Sequence, residues 1–548
     1  MIAWLAAALL FVLVAVPIGM LIFASFRGPI GALPIQSRAY FTFDHYSDAL
    51  LRISSWRMAM ETSIYTIGAV AVALGFALSL AWLTERIRIP APNVVAALVV
   101  LPFLLPPSSI TGSWLSLFWP RSGSVNVFLR ENVLGGLSRG PFDPATLPAM
   151  ILGQALFITP IAYLIVAAAL RNMNGALEEM SAASGAGPLT TVRRITLPML
   201  TPALLTAGVL GVWFTLDWTD VPFDLGAIGA VRLFSVRLYF QTVGSVGGFP
   251  NFGGAAAHAV LTLLLLFAVF AFYARLTRHS ARYATVGIKG ARLSRWPVGL
   301  WSIPLLVIAA FYALAMWVAP LYTLASGAIN GGGTAFTAVL SSGKFWSAAA
   351  NTMIVAVGSA TLGTVLVLLV AWVVVRTDNR LLRRPLDLLA TAPLVIPGLL
   401  AATAFLLVYL VLDWLPLWGT HLGITLALSY RLAIPYRLAN VGMRQITRDM
   451  DDASATSGAT PFVTLRRIVV PLLASSIAAS WIIFFVFAIR ERTIIQYVGF
   501  QVRTFTTMGR VSSAPGAEAA ADLLMLAMVV AVVAGVAYAL RRWQRMGG

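Results

Sequence analysis

The amino-acid sequence predicts an all-α polytopic membrane protein with about twelve transmembrane helices, arranged as two homologous six-helix halves. Three observations lead to this prediction. The mean hydropathy of the 548 residues is +0.87, and only 11% of them are charged. Long apolar runs alternate with arginine-rich loops, which is typical of a chain that crosses a bilayer repeatedly. One stretch of sequence also occurs twice, at equivalent places in the hydropathy pattern.

The net charge of +18 and the absence of cysteine narrow the class of protein further. The arginines are spread among the loops between apolar spans, so the positive-inside bias of membrane proteins explains them better than nucleic-acid binding does. We therefore expect the lipid bilayer, and no nucleic acid, as a partner. Disulfides and thiolate metal sites are excluded because there is no cysteine.

In the first half, the first span has no charged start and is expected to be retained rather than cleaved. The third span is interrupted by Pro102, Pro106 and Pro107, which a membrane helix tolerates only where neighbours satisfy the freed carbonyls. We predict the first six spans at 1–24, 63–83, 94–118, 148–170, 198–216 and 255–273.

An arginine-rich segment at 275–295, expected to be a solvated linker, separates these spans from a second set. Short echoes support a duplication, since Glu61-Thr62 matches Asn351-Thr352 and Trp82 with Arg86 matches Trp372 with Arg376. The halves are therefore 1–285 and 286–548. We predict spans seven to twelve at 296–324, 348–375, 386–412, 421–443, 471–489 and 519–540.

The repeated stretch follows the fourth span of each half. An acidic pair suits the first turn of a helix because the macrodipole favours negative charge there. Glycine suits a helix end because it adopts φ > 0 without a Cβ clash, and proline suits the first turn of the next helix. Each copy is therefore predicted to form a helix, a glycine turn and a second helix, in loops at about 171–198 and 444–471. The residues are Glu178, Glu179, Ser184, Gly185, Ala186, Pro188, Arg193, Arg194 and Pro198 in one copy and Asp451, Asp452, Ser457, Gly458, Ala459, Pro461, Arg466, Arg467 and Pro471 in the other.

The distribution of arginine predicts the orientation of the chain. Both repeat loops, the linker and the basic C-terminal tail fall on one side, which holds most of the lysine and arginine in less loop sequence than the other. The positive-inside rule places that side in the cytoplasm. Both termini are then cytoplasmic, as an even number of spans requires.

The repeated stretch resembles the cytoplasmic signature loop of permease subunits of ATP-binding-cassette (ABC) importers with the type I fold. The usual form of that loop is acid-Ala-Ala, three residues, Gly, and then Pro. The resemblance covers nearly the whole chain. It is specific, because spacing, position after the fourth span and duplication all agree. Segments 220–222, 235–239 and 490–492 are similar to the subgroup that carries ferric iron, thiamine and related solutes. The copies depart from the usual form at Met180-Ser181 and at Asp451-Asp452.

The resemblance implies a division of labour between subunits. The short helix of each loop would sit in a groove on one of two copies of a separate ATPase subunit. Closure of that ATPase dimer would rock the two halves between inward-open and outward-open. A periplasmic or extracellular solute-binding protein would deliver the solute to this inner-membrane component.

The two lysines of the chain are consistent with ATP hydrolysis by a separate subunit. Neither Lys289 nor Lys344 lies in the pattern of a phosphate-binding P-loop. We therefore expect a transport subunit that is not itself an enzyme and holds no cofactor. ATP and Mg²⁺ would be bound by the partner ATPase.

An ion-coupled secondary transporter is the alternative, since many of these also contain internal six-helix repeats. Such carriers usually place acids inside their spans, whereas Asp217, Asp413 and Glu491 lie at span ends. Arg431 and Arg437, in or near the tenth span, are the exceptions. They could serve an anionic substrate, snorkel to the interface or form a structural ion pair. The matched loops favour the ABC permease.

Acidic residues at the predicted outer ends of the fifth and eleventh spans are candidates for a substrate pathway or outer gate. They could draw a cation by their local field, or they could be solvated or paired with arginines. The four histidines are scattered, so no metal site is assigned. Resemblance alone favours ferric iron as the substrate, with thiamine or another small solute as the alternative. The pathway candidates are Asp217, Asp220, Asp224, Arg431, Arg437, Arg490 and Glu491.

Overall fold

The structure is a computed structural model of a helical membrane protein. It describes residues 2–135, 137–173, 176–229, 231, 233–244, 249–277, 297–499, 501–509 and 511–546. The predicted linker at 275–295 lies almost entirely outside the described residues, as does the boundary between the predicted halves. Two short antiparallel strands, β1 (Arg27–Gly28) and β2 (Tyr40–Phe41), follow the first span.

Helices account for nearly all the regular structure. Those before the linker are α1 Ile2–Leu10, α2 Val16–Ala24, α3 Asp44–Leu51, α4 Ile53–Arg86, α5 Pro92–Val100, α6 Pro107–Phe118, α7 Ser124–Asn132, α8 Leu147–Asn172, α9 Ala176–Ala183, α10 Pro188–Thr191, α11 Leu197–Asp217, α12 Phe234–Val243 and α13 Phe252–Thr277. Those after it are α14 Ile303–Ala313, α15 Ala319–Asn330, α16 Gly332–Leu340, α17 Gly343–Arg376, α18 Arg380–Thr391, α19 Gly398–Val411, α20 His421–Ser429, α21 Ala433–Gln445, α22 Arg448–Thr456, α23 Pro461–Thr464, α24 Val470–Leu472, α25 Ala474–Arg490, α26 Thr493–Val498 and α27 Ala517–Met546.

Short π-helical or 3-10 segments join several of these helices into longer ones. The π-helical segments are Phe11–Ala15, Val192–Thr196, Pro222–Gly226, Leu314–Val318 and Leu465–Val469, and the 3-10 segments are Leu101–Leu104, Leu300–Ser302 and Ala392–Leu394.

Eight helical stretches among the described residues are long and apolar enough to cross a membrane, and three bent pairs raise the number to eleven. This confirms an all-α polytopic protein close to the predicted twelve spans. The continuous stretches are Trp4–Ala24, Ile53–Arg86, Leu147–Asn172, Val192–Asp217, Phe252–Thr277, Ile303–Asn330, Gly343–Arg376 and Ala517–Val536.

The bent pairs are the third, ninth and eleventh predicted spans. The third bends by 96° between Phe103 and Pro107, which agrees with its predicted proline interruption. The ninth bends by 113° between Leu394 and Gly398, because Pro397 cannot continue the preceding helix. The eleventh bends by 81° around Leu473.

The tenth span was predicted as one helix over 421–443, and this is wrong. The chain forms two shorter helices, α20 and α21, with Tyr430, Arg431 and Leu432 between them. The Arg431 side chain is only 7% exposed and forms an ion pair with Glu491, and the Tyr430 hydroxyl donates to the carbonyl of Ile396. The break therefore coincides with the buried charge of Arg431.

Two compact units make up the chain. Unit 1 contains Met1–Arg52, Leu238–Leu263 and Asn330–Gly548, and unit 2 contains Ile53–Arg237 and Leu264–Ile329. Within unit 1, α1 packs against α17 and α2 against α19. Within unit 2, α14 packs against α4 and α5, and the Tyr312 hydroxyl donates to the carbonyl of Val99 at 3.0 Å. The first helix of each predicted half thus belongs to the unit built mainly from the other half, whereas the halves themselves, defined by sequence repetition, stay a prediction.

The second span recurs most closely in the two units. Helices α4 and α17 are each 34 residues long and end in arginine, Arg86 and Arg376. Near their starts, the hydroxyls of Thr62 and Thr352 each accept a hydrogen bond from a backbone N–H, that of Phe234 or Phe505, at 3.0 Å. The Glu61-Thr62 and Asn351-Thr352 echo in the sequence therefore corresponds to the same interaction in both units.

Candidate functional site

Both repeated loops have the predicted helix, glycine turn and second helix. In unit 2 these are α9, Gly185 and α10, and in unit 1 they are α22, Gly458 and α23. The glycine φ angles are 77° and 79°, in the left-handed region where a Cβ is disfavoured. The second helices begin at Pro188 and Pro461, the positions at which proline replaces an N–H that would have no helical partner.

The same hydrogen bonds close the two turns. The N–H of Ala186 donates to the carbonyl of Ser181 at 3.1 Å, and the N–H of Ala459 donates to that of Ser454 at 3.1 Å. This is the bond that satisfies a helix C-terminus when glycine adopts a left-handed conformation. The hydroxyls of Ser181 and Ser454 each bond a threonine hydroxyl of the second helix at 2.8 Å. Each loop is therefore one folded unit rather than a flexible connector.

The acidic pair of the first loop is divided between the interior and the surface. Glu178 is buried, with a side chain 2% exposed, and forms an ion pair of 3.5 Å with the fully buried Arg86 at the end of α4. It also accepts a hydrogen bond from the Thr196 hydroxyl at 3.0 Å. Glu179, the next residue, is exposed. One acid therefore holds the loop to the second span, and the other is available to a partner.

The second loop also pairs its first acid with an arginine and exposes its second, but here the pair is only partly buried. Asp451 forms an ion pair of 2.6 Å with Arg376 at the end of α17, with the side chains 23% and 12% exposed, and Arg376 also donates to the carbonyl of Ile446 at 3.2 Å. Asp452 is exposed. The prediction that both acids lie in the first helical turn is confirmed for the first loop but is wrong for Asp452, because α22 begins at Arg448 and its first turn ends at Asp451.

Both loops also expose apolar and basic side chains. Met180 is 66% exposed beside Glu179, and Met450 and Phe462 are 44% and 59% exposed in the second loop. Exposed apolar residues next to exposed charge are typical of a surface that meets another protein. The remaining predicted residues that are exposed here are Ser184, Gly185, Arg193, Arg194, Pro198, Ser457, Gly458, Arg466, Arg467 and Pro471, while Ala186 and Ala459 are half-buried.

The Arg86–Glu178 and Arg376–Asp451 pairs, which we call the arginine latches, were not predicted. The sequence showed that Arg86 and Arg376 occupy matching positions, but only as evidence for duplication. Their acidic partners lie more than 70 residues away in the chain, and no local pattern relates two positions at such a distance. One signal could have found them. An arginine recurs at the end of the second span of each half, an acid recurs in each repeated loop, and the two charges of each half could have been paired.

The acids at the other end of α11 are mostly buried. Asp217 is 1% and Asp220 is 8% exposed, and Asp224 accepts a hydrogen bond from the Thr111 hydroxyl at 2.6 Å. Each of the three makes polar interactions within its surroundings. Solvation in a loop, one of the two alternatives to a role in the pathway, is therefore excluded for Asp217 and Asp220.

In unit 1, the candidates gather around Glu491. Its carboxylate pairs with Arg431 at 2.6 Å and also accepts the N–H of Ile494 at 2.9 Å, with the two charged side chains 6% and 7% exposed. Arg490 is half-buried, and Arg437 lies exposed on α21. Arg431 thus forms the structural ion pair that the sequence offered as an alternative, and the structure does not bring Arg437 into the same cluster.

Among the described residues, no group of three or more histidine, cysteine or carboxylate side chains is placed to hold a metal ion. The aspartates of unit 2 and Glu491 of unit 1 belong to different compact units. A role for either cluster in a substrate pathway stays a prediction.

Comparison with known proteins finds similarity to transport permeases. Residues 363–545 match the model of binding-protein-dependent transport system inner membrane components. The chain is 27% identical over 471 residues to a putative ferric transport system permease protein of Haemophilus influenzae, covering 82% of this chain and 71% of that one. It is 26% identical over 472 residues to a ferric transport system permease protein of Actinobacillus pleuropneumoniae, covering 82% of this chain and 65% of that one.

A solved bacterial ABC transporter involved in the import of alginate overlaps 45% of this chain and 86% of its own, with a TM-score of 0.38 and 18% identity. That likeness is too weak to bear on the site. The match of residues 363–545, the similarity to the ferric permeases over most of the chain and the duplicated loop all agree with a fused permease subunit of a binding-protein-dependent ABC importer, an inner-membrane component similar to ferric transport permeases.

Proposed function

We propose that the chain forms the solute pathway of its importer and receives energy from a separate ATPase subunit through both repeated loops. The observation that supports this most is the divided acidic pair. In each loop one acid is paired with an arginine at the end of a long helix, and the next acid is exposed, in a short helix that also exposes a methionine. Two loops of one geometry suit two copies of one ATPase subunit, which would bind the ATP and Mg²⁺.

The arginine latches suggest how a push on a loop reaches the other side of the membrane. In unit 2, Arg86 joins the loop to one end of α4, and Thr62 joins the other end to the backbone of Phe234. The 24 residues from Thr62 to Arg86 span about 36 Å of helix, which exceeds the hydrocarbon core of roughly 30 Å. Helix α17 makes the same two connections in unit 1. Each long helix would thus move as a rigid body that connects its repeated loop to the segment that contains Phe234 or Phe505.

Removing the exposed acids tests this assignment. We expect Glu179→Ala and Asp452→Ala to fold normally but to bind the ATPase subunit less well, because each loses a surface charge without disturbing a latch. Glu131→Ala, which removes another exposed carboxylate (61% exposed), is the matched control. The measurement is co-purification of the ATPase at equal permease content. Association equal to wild type in both loop variants would contradict a docking role.

Ferric iron is the substrate that we propose, delivered by a periplasmic solute-binding protein. The support is the similarity to ferric permeases over most of the chain, together with the carboxylates of Asp217, Asp220 and Asp224, which could attract a cation by their field. We expect uptake of radiolabelled ferric iron when the chain is expressed with its ATPase and binding protein. Excess thiamine should not compete. If thiamine abolished this uptake and excess unlabelled iron did not, an organic solute would replace iron as the proposed substrate.

We also propose that both loops and both termini face the cytoplasm. The chain has no cysteine, so a single introduced thiol reports its own sidedness. Ser457→Cys, exposed in the second loop, should react with an impermeant maleimide in inverted vesicles and not in intact cells. A cysteine replacing the exposed Ser47, on α3 beyond the first span, should do the reverse. Labelling of Ser457→Cys from outside would overturn the orientation.

A further inference from the structure

Helix α18 lies on the same side of unit 1 as the second repeated loop. It is part of neither that loop nor α17, through which we propose that the loop acts. It begins four residues after Arg376, whose guanidinium meets Asp451 of that loop. The Asn379 side chain caps it by accepting the N–H of Leu381 at 3.0 Å. Its axis, continued through Leu394, is bent by 113° from that of α19. The helix therefore does not continue straight into the apolar span that follows.

One flank of α18 is fixed to the protein. Leu386 and Ala390 are buried, and the helix packs against α17, α21 and α1 of the same unit. The Tyr436 hydroxyl of α21 donates to the Asp387 carboxylate at 2.6 Å, and Asn440 donates to the same hydroxyl at 3.0 Å. These contacts fix the rotation of the helix about its axis, so the opposite flank has a defined direction.

That opposite flank combines large apolar and basic side chains. Leu381 is 87% exposed and Leu388 is 68% exposed. Arg380 and Arg384 lie beside them and are also exposed, and Arg383 is half-buried. A helix with one apolar edge and an adjacent basic edge is the arrangement that lies in a membrane interface, with its leucines among acyl chains and its arginines at the phosphates.

We propose that α18 is a binding site for anionic phospholipid headgroups. Arg380 and Arg384 contact the phosphates, and Leu381 and Leu388 enter the acyl-chain region beside them. Charge complementarity selects this occupant, since basic clusters next to a span attract anionic lipid more strongly than neutral lipid. The corresponding segment of the first half, α5 (Pro92–Val100), contains no arginine. The site is therefore confined to one half of a duplicated protein.

Retention of lipid by the purified full chain tests the proposal. Native mass spectrometry should show phosphatidylglycerol retained in preference to phosphatidylcholine by the wild type, and high salt should reduce the preference. The variant Arg380→Gln/Arg384→Gln should reduce the preference for phosphatidylglycerol by roughly thirtyfold. Arg52→Gln/Arg57→Gln is the matched control, because both arginines are exposed but paired with acids, Arg52 with Asp48 and Arg57 with Glu61. Equal retention by the α18 variant and the wild type would overturn the proposal.

A spin label separates lipid from a protein occupant at the same surface. A label on Leu388→Cys in nanodiscs should be more accessible to oxygen, which concentrates in the acyl region, than to a water-soluble nickel chelate, with or without the ATPase subunit. Protection from both reagents only when the ATPase is added would assign the surface to that subunit instead and overturn the lipid site. Neither measurement depends on transport, so this proposal can fail while the coupling role stands.

Discussion

Glu178→Gln is expected to destabilise the protein more than any other single change in the two loops. The substitution keeps the shape of the side chain but leaves the guanidinium of Arg86 without its counter-charge. Arg86 is fully buried and cannot lose its proton, and none of its guanidinium nitrogens has a hydrogen-bond partner among the described residues. Removing one partner of a buried ion pair costs about 3–5 kcal/mol. Asp451→Asn should cost clearly less, because the Arg376–Asp451 pair is partly exposed and solvent screens it.

Chemical denaturation in detergent measures the stability of these variants, and Glu179→Gln is the control, since it removes the neighbouring exposed charge. The double variant Arg86→Met/Glu178→Met separates stability from coupling. Replacing both charges by apolar side chains should restore most of the free energy of unfolding. Transport should remain impaired, because the loop would no longer be joined to α4 by a charge pair. If Glu178→Gln unfolds no more easily than Glu179→Gln, the pair is not the buried anchor that we describe.

Gly458→Val is expected to insert and accumulate normally but to lose ATPase association and, with it, uptake. The space around Gly458 is open, so an added Cβ meets no neighbouring atom and the backbone conformation is what the substitution strains. A β-branched residue at a φ of 79° is strained by about 1–3 kcal/mol. Relief of that strain breaks the bond from Ala459 to Ser454 and moves the exposed Asp452. Gly185→Val, at a φ of 77° and also in open space, should have the same effect through the other loop.

Gly187→Val provides the matched control, because Gly187 is equally open but has no left-handed φ. It should retain association and uptake. Gly458→Asn should retain more of both than Gly458→Val, since asparagine tolerates the left-handed region better than other side chains. The measurements are pull-down of the ATPase and uptake in membranes of matched permease content. If both glycine-to-valine variants bound the ATPase and took up solute as the wild type does, the loops would be connectors without a docking role.

Local chemistry decided which parts of this fold the sequence could predict. The helix–glycine–helix loops depend on φ preferences and capping within a dozen residues, so Gly185 and Gly458 were predicted with their conformation. The proline interruption of the third span is equally local and was predicted, whereas the bend of the ninth span at Pro397 was not predicted. The break at Arg431 was missed because its cause, the carboxylate of Glu491, is 60 residues away in the chain. The arginine latches and the exchange of first helices between halves were missed for the same reason, since each depends on packing between distant segments.

The placement of the first helix has a consequence for biosynthesis. Unit 2 is complete once residue 329 has left the ribosome, whereas unit 1 requires both Met1–Arg52 and Asn330–Gly548. Helices α1 and α2 therefore enter the bilayer long before α17 and α19, the helices against which they pack, have been translated. During that interval their future contact surfaces face lipid or the insertion machinery. Helices α1 and α2 thus reach their packing partners only after most of the chain has been made.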